Sequence, residues 1–242
     1  MKTIVCVRTR DEEHRIRQFC ESYKDADKIL VADGGSNDRT IEYASQFPNV
    51  EIRNYTKRVQ LANGLWRNND SDHTNFLIEW AYSQQPDWVI FDDCDIRPNK
   101  GLRENYIELL ENFLCQGVET VLAVRVYLWG KTQYFPALSS PLGEPLGQGS
   151  LWAWRGNLDL WTVDVPPAFT FRVGSKPVTE FRTDTKCVSV LFPYCLLHYS
   201  WDNPDRVNRK VQYYRESGFI PNMLHPLDFG GKLEPLKDFM YE

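Results

Sequence analysis

The sequence has little of what builds metal clusters or disulfide scaffolds. Its six cysteines, at positions 6, 20, 94, 115, 187 and 195, form no C-x-x-C pair, and none of its four histidines stands at zinc-finger spacing from them. That excludes a zinc ribbon and a stapled secreted miniprotein, and it predicts reduced thiols in a cytoplasmic chain. Cys6, Cys20 and Cys115 fall in apolar or amphipathic segments, which predicts burial. No stretch approaches the about 20 apolar residues of a membrane span. The apolar run Thr3 to Val7 is too short for a signal-peptide core and is followed at once by charge. There is no internal repeat and no low-complexity segment. Positive charge is also short: 28 Lys and Arg against 33 Asp and Glu leave −5 at pH 7 and a pI near 5.5. This argues against a chain that holds nucleic acid by bulk electrostatics.

What is present is length and aromatic weight. The 242 residues are 42% hydrophobic and 25% charged, an ordinary globular composition, and no linker divides them, so a single domain is expected. Fourteen per cent are aromatic, including eight Trp, which is enough to require a place for them.

Hydrophobic periodicity gives the architecture. Ile4 to Val7, Lys28 to Ala32, Val50 to Ile52 and Trp88 to Phe91 are short strands, and the apolar runs among them suit parallel strands covered on both faces. Helices are predicted between them, with apolar positions Ile16, Phe19, Cys20 and Tyr23, then Ile41, Ala44 and Phe47, then Phe76, Leu77, Trp80 and Ala81; Asp11 is placed to cap the first. The β-α-β-α-β-α-β order argues for an open α/β sheet, whose ligands gather at the carboxyl ends of the strands. Those ends read RTRDEE, DGGSND and DDCD. Further on, a helix to about Leu114 is followed by one strong strand, Val121 to Leu128. Residues 129–150 form a long Gly/Pro/Ser loop, and 151–197 hold several aromatic-rich strands. A last helix from Pro204 carries Val207, Val211 and Tyr214.

Asp92, Asp93 and Asp95 follow directly on a buried strand. In extended backbone 93 and 95 point the same way, and like charges converge at a sheet end only where a cation joins them. Oxygen ligands favour Mg²⁺ or Mn²⁺ shared with phosphates; the alternative is a solvated acidic turn. Gly34-Gly35 is a tight turn with or without a ligand. Arg67, before the third helix, has the guanidinium fork that matches a diphosphate. His14 is expected to face solvent, His73 to sit in a polar loop, and His225 has no supporting context.

VADGGSNDRT followed by WVIFDDCD resembles the nucleotide-sugar-binding half of a GT-A-fold glycosyltransferase, glycosyltransferase family 2 in particular, over residues 3–100. The resemblance implies a Rossmann-like open mixed α/β sheet and metal-dependent, inverting transfer of a sugar to an acceptor hydroxyl. The implied donor is a nucleotide sugar, UDP-linked by preference. Thr9, Arg10 and Glu12 of the first strand end would then face the donor, with Thr9 and Glu12 lining a uridine pocket. Asp33 would contact the base above the Gly35 turn, and Asp92 and Asp93 would meet the donor as well. Asp93, on the ribose or the metal, would be joined by Asp95 on the metal, with His198 of HYSW completing the site. The chain departs from the family pattern at Arg8 and Arg10, where Pro and Tyr are usual, and at Gly34, where the second Asp of D-D-G-S stands. The base that takes the acceptor's proton has no clear E-D pair; Asp184, then Asp159, are the candidates, with Asp164 and Glu180 also in range. Trp80 and Trp88 read as core. Trp129, Trp152, Trp154, Trp161 and Trp201 lie in the half where such enzymes build the acceptor site, although core packing suits most of them. The acceptor is a glycan, a small molecule or a hydroxylated base in DNA, with Arg206, Arg209, Lys210 and Arg215 available for phosphates. A nucleotidyltransferase, which would bring a Gly-rich first loop, and a non-catalytic sugar-binding module are the other readings.

Overall fold

Strand and helix follow from where apolar residues fall. β1 (Thr3–Thr9), β2 (Lys28–Asp33) and β6 (Trp88–Phe91) are buried at almost every position, with apolar middles, because both faces of each are covered. The computed structural model describes residues 1–60, 66–130, 132–134, 150–165, 168–177, 186–190, 193–201, 204–216 and 233–235. Between the strands run α1 (Ile16–Ser22), α2 (Thr40–Ala44), β3 (Val50–Asn54), the antiparallel pair β4 (Arg58–Gln60) and β5 (Trp66–Asn68), and α3 (Asp70–Tyr82). Next come β7 (Ile96–Pro98), α4 (Lys100–Cys115), β8 (Thr120–Ala123), β9 (Arg125–Trp129), β10 (Gln133–Tyr134) and β11 (Ser150–Arg155). The chain continues with β12 (Leu160–Val165), β13 (Ala168–Val173), β14 (Lys176–Pro177), β15 (Cys187–Val190) and β16 (Leu196–Trp201). The helix α5 (Pro204–Glu216) and β17 (Glu234–Pro235) complete it.

Seven strands form the main sheet in the order β15-β8-β11-β6-β1-β2-β3, mixed because β11 runs antiparallel between β8 and β6. This is the open mixed α/β sheet expected. Alternation splits its core in two. Val5, Val7, Ile29, Val31, Ile90 and Trp152 pack under α1 and α4, while Ile4, Cys6, Leu30, Ala32, Val89 and Trp154 pack under α3. A second sheet, β17-β10-β9-β16-β7, and a third, β12-β13-β14, flank it.

Several expectations are corrected. The strand expected over 121–128 breaks at Val124: its first half joins the main sheet as β8 and its second half joins β16 and β10 as β9. Asp11 does not cap α1, which begins at Ile16; it takes a left-handed backbone (φ 55°), and its carboxylate accepts the Asn37 N–H at 2.7 Å instead. Cys115 ends α4 exposed, and all six cysteines are free thiols. Trp152 and Trp154 are fully buried on opposite faces of β11, so they are core like Trp80 and Trp88 rather than acceptor surface; Trp161 is 38% exposed. No helix among the described residues is long and apolar enough to cross a membrane.

Candidate active site

Parallel pairing brings the polar strand ends to one edge of the main sheet. Thr9 is in register with Asp33, and Cys6 with Phe91, which sets Asp93 level with Arg8. Thr9 and Asp33 are each 3% exposed. Asp33 Oδ2 accepts the N–H groups of Gly35 and Ser36, both at 3.0 Å, while Oδ1 accepts the Ser36 hydroxyl and, at 3.4 Å, that of Thr9. A carboxylate has about four acceptor sites, so the turn and Thr9 together fill them. Gly35 is left-handed (φ 88°). Gly34 is glycine because of close approach: a Cβ there would lie 1.8 Å from Asn68 Nδ2 of β5. An asparagine from a distant strand thus fills the space that the family's second Asp would use.

The loops after β1 and β2 are laced into one unit. Glu12 N–H donates to Thr40 Oγ1 (2.7 Å), Glu13 N–H to Asp38 Oδ2 (3.0 Å), Asp11 N–H to Ser36 Oγ (3.0 Å) and Arg39 N–H to Glu13 Oε2 (3.2 Å). Burial works to raise the Asp38 carboxyl, but the Thr40 hydroxyl and the backbone N–H donors outweigh it and hold the group below the usual range.

The carboxylates after β6 diverge. Asp95 meets His198 because β16 pairs antiparallel with β7, His198 opposite Ile96; Asp95 Oδ2 lies 3.6 Å from His198 Nε2, and the two side chains are each 16% exposed. Tyr199 N–H donates to the Asp95 carbonyl (2.7 Å), locking the approach. Asp93 Oδ1 accepts from Arg8 Nη2 at 2.6 Å and Nε at 3.3 Å. Arg8 Nη1 also donates to the Asp70 carbonyl (3.1 Å) and faces its carboxylate (3.4 Å). Burial acts to lower the Arg8 pKa, but Asp93 and then Asp70 raise it above the ordinary arginine value.

Asp92 turns the other way and does not join this group, which corrects its expected place on the donor. It is wholly buried, accepts the Tyr23 hydroxyl, and lies 4.0 Å from Arg125; Tyr23 in turn accepts Trp152 Nε1–H at 3.3 Å. Burial pushes its carboxyl up to about 7, against the pull of Arg125 and the Tyr23 hydroxyl.

The remaining expected residues fall as follows. Arg10 is exposed, 3.9 Å from Asp11. Glu12 faces Arg15 (3.5 Å), and Arg15 Nη2 donates to the Tyr199 carbonyl at 2.8 Å, so Glu12 braces the β16 end of the site. Arg67 is placed by its backbone in β5 opposite Val59. Asp159 is at the wrong edge: β11 ends with Arg155 opposite Trp88, the first residue of β6, and the following residues bond to Asp87 and Tyr82. It is therefore removed from the carboxyl ends where Thr9, Asp33 and Asp93 stand. β12 then runs back toward the amino end of α3, where Thr162 meets Ser71 and Asn75. Asp184, Glu180 and His225 lie outside the described residues, as does most of the 129–150 loop.

Sequence reasoning missed Arg8, Asn68, Arg15 and His73. His73 is a helix residue, 2% exposed, stacked on Tyr55 (4.1 Å, 9°) with Nε2 3.0 Å from the Ala32 carbonyl. Burial, then Arg8, push it down to about 4, so it is a neutral prop beneath β2. Among the described residues no three His, Cys, Asp or Glu converge as a ready metal cluster. Asp95 and His198 are the pair that could hold an ion, and such mixed oxygen and imidazole donors would suit Mn²⁺ better than Mg²⁺.

A sequence profile of glycosyl transferase family 2 matches residues 4–154. The chain is 34% identical over 117 residues to the SPbeta prophage-derived glycosyltransferase SunS of Bacillus subtilis (strain 168), over 46% of this chain and 25% of the relative. Glycosyltransferase SunS of Bacillus phage SPbeta gives the same figures. The match thus spans about a quarter of the length of these curated relatives. Among solved structures, TarS of S. aureus aligns with a TM-score of 0.45 at 19% identity, over 66% of this chain and 48% of that one. Glucosyl-3-phosphoglycerate synthase from Mycobacterium tuberculosis, in complex with Mn²⁺, uridine diphosphate and glucosyl-3-phosphoglycerate, aligns at 0.40 and 18%, over 64% and 57%.

Proposed function

The chain belongs to glycosyl transferase family 2, and from that premise we propose that it moves a sugar from a nucleotide-diphosphate donor, UDP-linked by preference, to an acceptor hydroxyl with inversion. The observation that carries this is the meeting of Asp95 with His198 at 3.6 Å beside the Thr9–Asp33 turn. The pair would hold Mn²⁺ or Mg²⁺, which when bound neutralises charge developing on the departing diphosphate. The chain's own residues do the rest. The laced loops after β1 and β2 hold Thr9 and the Asp33 turn as the floor for the base. Asp93 presents Oδ2, the oxygen opposite its Arg8 contacts, to the ribose. Arg67 is assigned to the diphosphate.

Inversion is an in-line displacement. The acceptor oxygen bonds to the anomeric carbon as the bond to the diphosphate oxygen breaks, and the hydroxyl proton passes to a carboxylate. Since Asp159 stands at the far edge, that base falls to Asp184 or to Asp164, which β12 carries back toward the site end. The test is a panel of nucleotide sugars incubated with Mn²⁺, reading nucleotide release. One donor should be turned over, and Asp95→Asn should lower the rate about 100-fold or more. Turnover by Asp95→Asn at the wild-type rate would sink the proposal.

A further inference from the structure

We propose that Arg8 is a resident cation at the acidic strand ends, one that claims Asp93 and leaves the free protein a poor binder of divalent metal, so that the metal enters together with the nucleotide diphosphate. The inference rests on the glycosyl-transfer reading and adds an order of assembly to it. Arg8 occupies a position where the family pattern has Pro, so this contact belongs to the chain rather than to the shared motif.

The geometry is specific. The Arg8 side chain is 13% exposed and packs 5.5 Å above the Phe91 ring. Two of its N–H groups converge on the same oxygen of Asp93, and a third serves the carbonyl of Asp70. A guanidinium cannot shed its proton to make way for another cation. Any ion drawn to Asp93 therefore meets a fixed positive charge in a partly desolvated place, where like charges repel more strongly than in water. What remains for the metal is Asp95 and His198, and two protein ligands, one an imidazole, hold a hydrated hard ion weakly. A diphosphate changes both terms. Its oxygens supply hard ligands, and its negative charge offsets Arg8. Metal and nucleotide then favour each other's binding by the same factor, as linkage requires.

The experiment is a titration of the intact chain with Mn²⁺, following the free-ion electron paramagnetic resonance signal, with and without UDP. Wild type should bind Mn²⁺ at least about tenfold more tightly when UDP is present. Arg8→Gln, which releases Asp93, should bind Mn²⁺ without UDP at least about tenfold more tightly than wild type, whereas Arg8→Lys, which keeps the charge, should stay near wild type. Equal Mn²⁺ affinity for Arg8→Gln and wild type overturns the inference, as does a wild type that binds UDP yet gains no Mn²⁺ affinity from it. Should Arg8→Gln fail to fold by circular dichroism, two other variants decide. Asp95→Asn should cost the Mn²⁺–UDP complex about tenfold more than Asp93→Asn, and equal losses overturn it. The two readings fail separately. If no nucleotide binds yet Arg8→Gln gains Mn²⁺ affinity, the donor reading falls and the Arg8 role stands. If UDP binds but Arg8→Gln gains nothing, the reverse holds.

Discussion

At the scale of single residues, the three aspartates of DDCD show how one short motif serves three environments. Asp93 is tied to Arg8, Asp95 meets His198, and Asp92 is sealed in the core against Tyr23 and Trp152. The sequence places all three after a buried strand but carries no sign that Asp92 faces inward, because its partners come from positions 23 and 125. Its raised pKa makes a signed prediction. Between about pH 4 and pH 7 the unfolded chain releases a proton that the folded one keeps, so this group costs stability progressively as pH rises through that window. Below it both states are protonated, and above it the deficit is constant. In EDTA, Asp92→Asn should match wild type within error near pH 4 and exceed it by about 2 kcal/mol at pH 8, a figure reduced from the full shift because Arg125 loses a charged partner. Urea unfolding at the two pH values checks this, and a wild-type slope in the variant would refute it.

At the scale of elements, the parallel strands were legible and their lateral partners were not. Ile4–Val7, Ile29–Ala32 and Trp88–Phe91 announce themselves by unbroken apolar runs. The stretch Val121 to Leu128 is apolar but for Arg125 and has no turn residue at Val124, whose carbonyl accepts the Leu196 N–H where the chain leaves one sheet for another. His198 comes beside Asp95 through that second sheet, so its place there was expected only through the family resemblance. Asn99 is the hinge of this arrangement. Its Oδ1 accepts the N–H of Leu102, capping α4, and that of Cys195, while its Nδ2 donates to the Pro193 carbonyl. Asn69 caps α3 by accepting the Asp72 N–H at 3.0 Å. Asn69→Ala should therefore cost about 1 kcal/mol, as a lost cap does. Asn99→Ala should cost about 2–3 kcal/mol, because buried groups at the start of β16 also lose their partners. It should weaken Mn²⁺ retention with UDP as well, since β16 carries His198. Equal costs for the two variants in urea unfolding would show that the β16 contacts contribute nothing.

At the scale of the whole molecule, the Thr9–Asp33 turn proposed to hold the base belongs to the main sheet, and His198, proposed to hold the metal with Asp95, belongs to the second. Thr9 and Asp33 end β1 and β2, while His198 sits in β16, and Arg15 and Glu12 join the two regions at Tyr199. A ligand that touches both sheets must stabilise both against unfolding. Anything that binds only the folded state adds RT ln(1 + [L]/Kd), about 2.7 kcal/mol at a hundredfold excess over Kd. For a chain of this size that is a rise in the thermal midpoint of roughly 5–10 °C. Calorimetry with Mn²⁺ and UDP together should show that rise across the whole transition, not in one shoulder of it. Asp95→Asn removes the metal half while leaving the base floor intact, so its shift with the same ligands should fall below about 2 °C. An undiminished shift in Asp95→Asn would mean that the nucleotide is held by the main sheet alone. A shift confined to part of the transition would mean that the two sheets unfold independently and that the site does not bind them together.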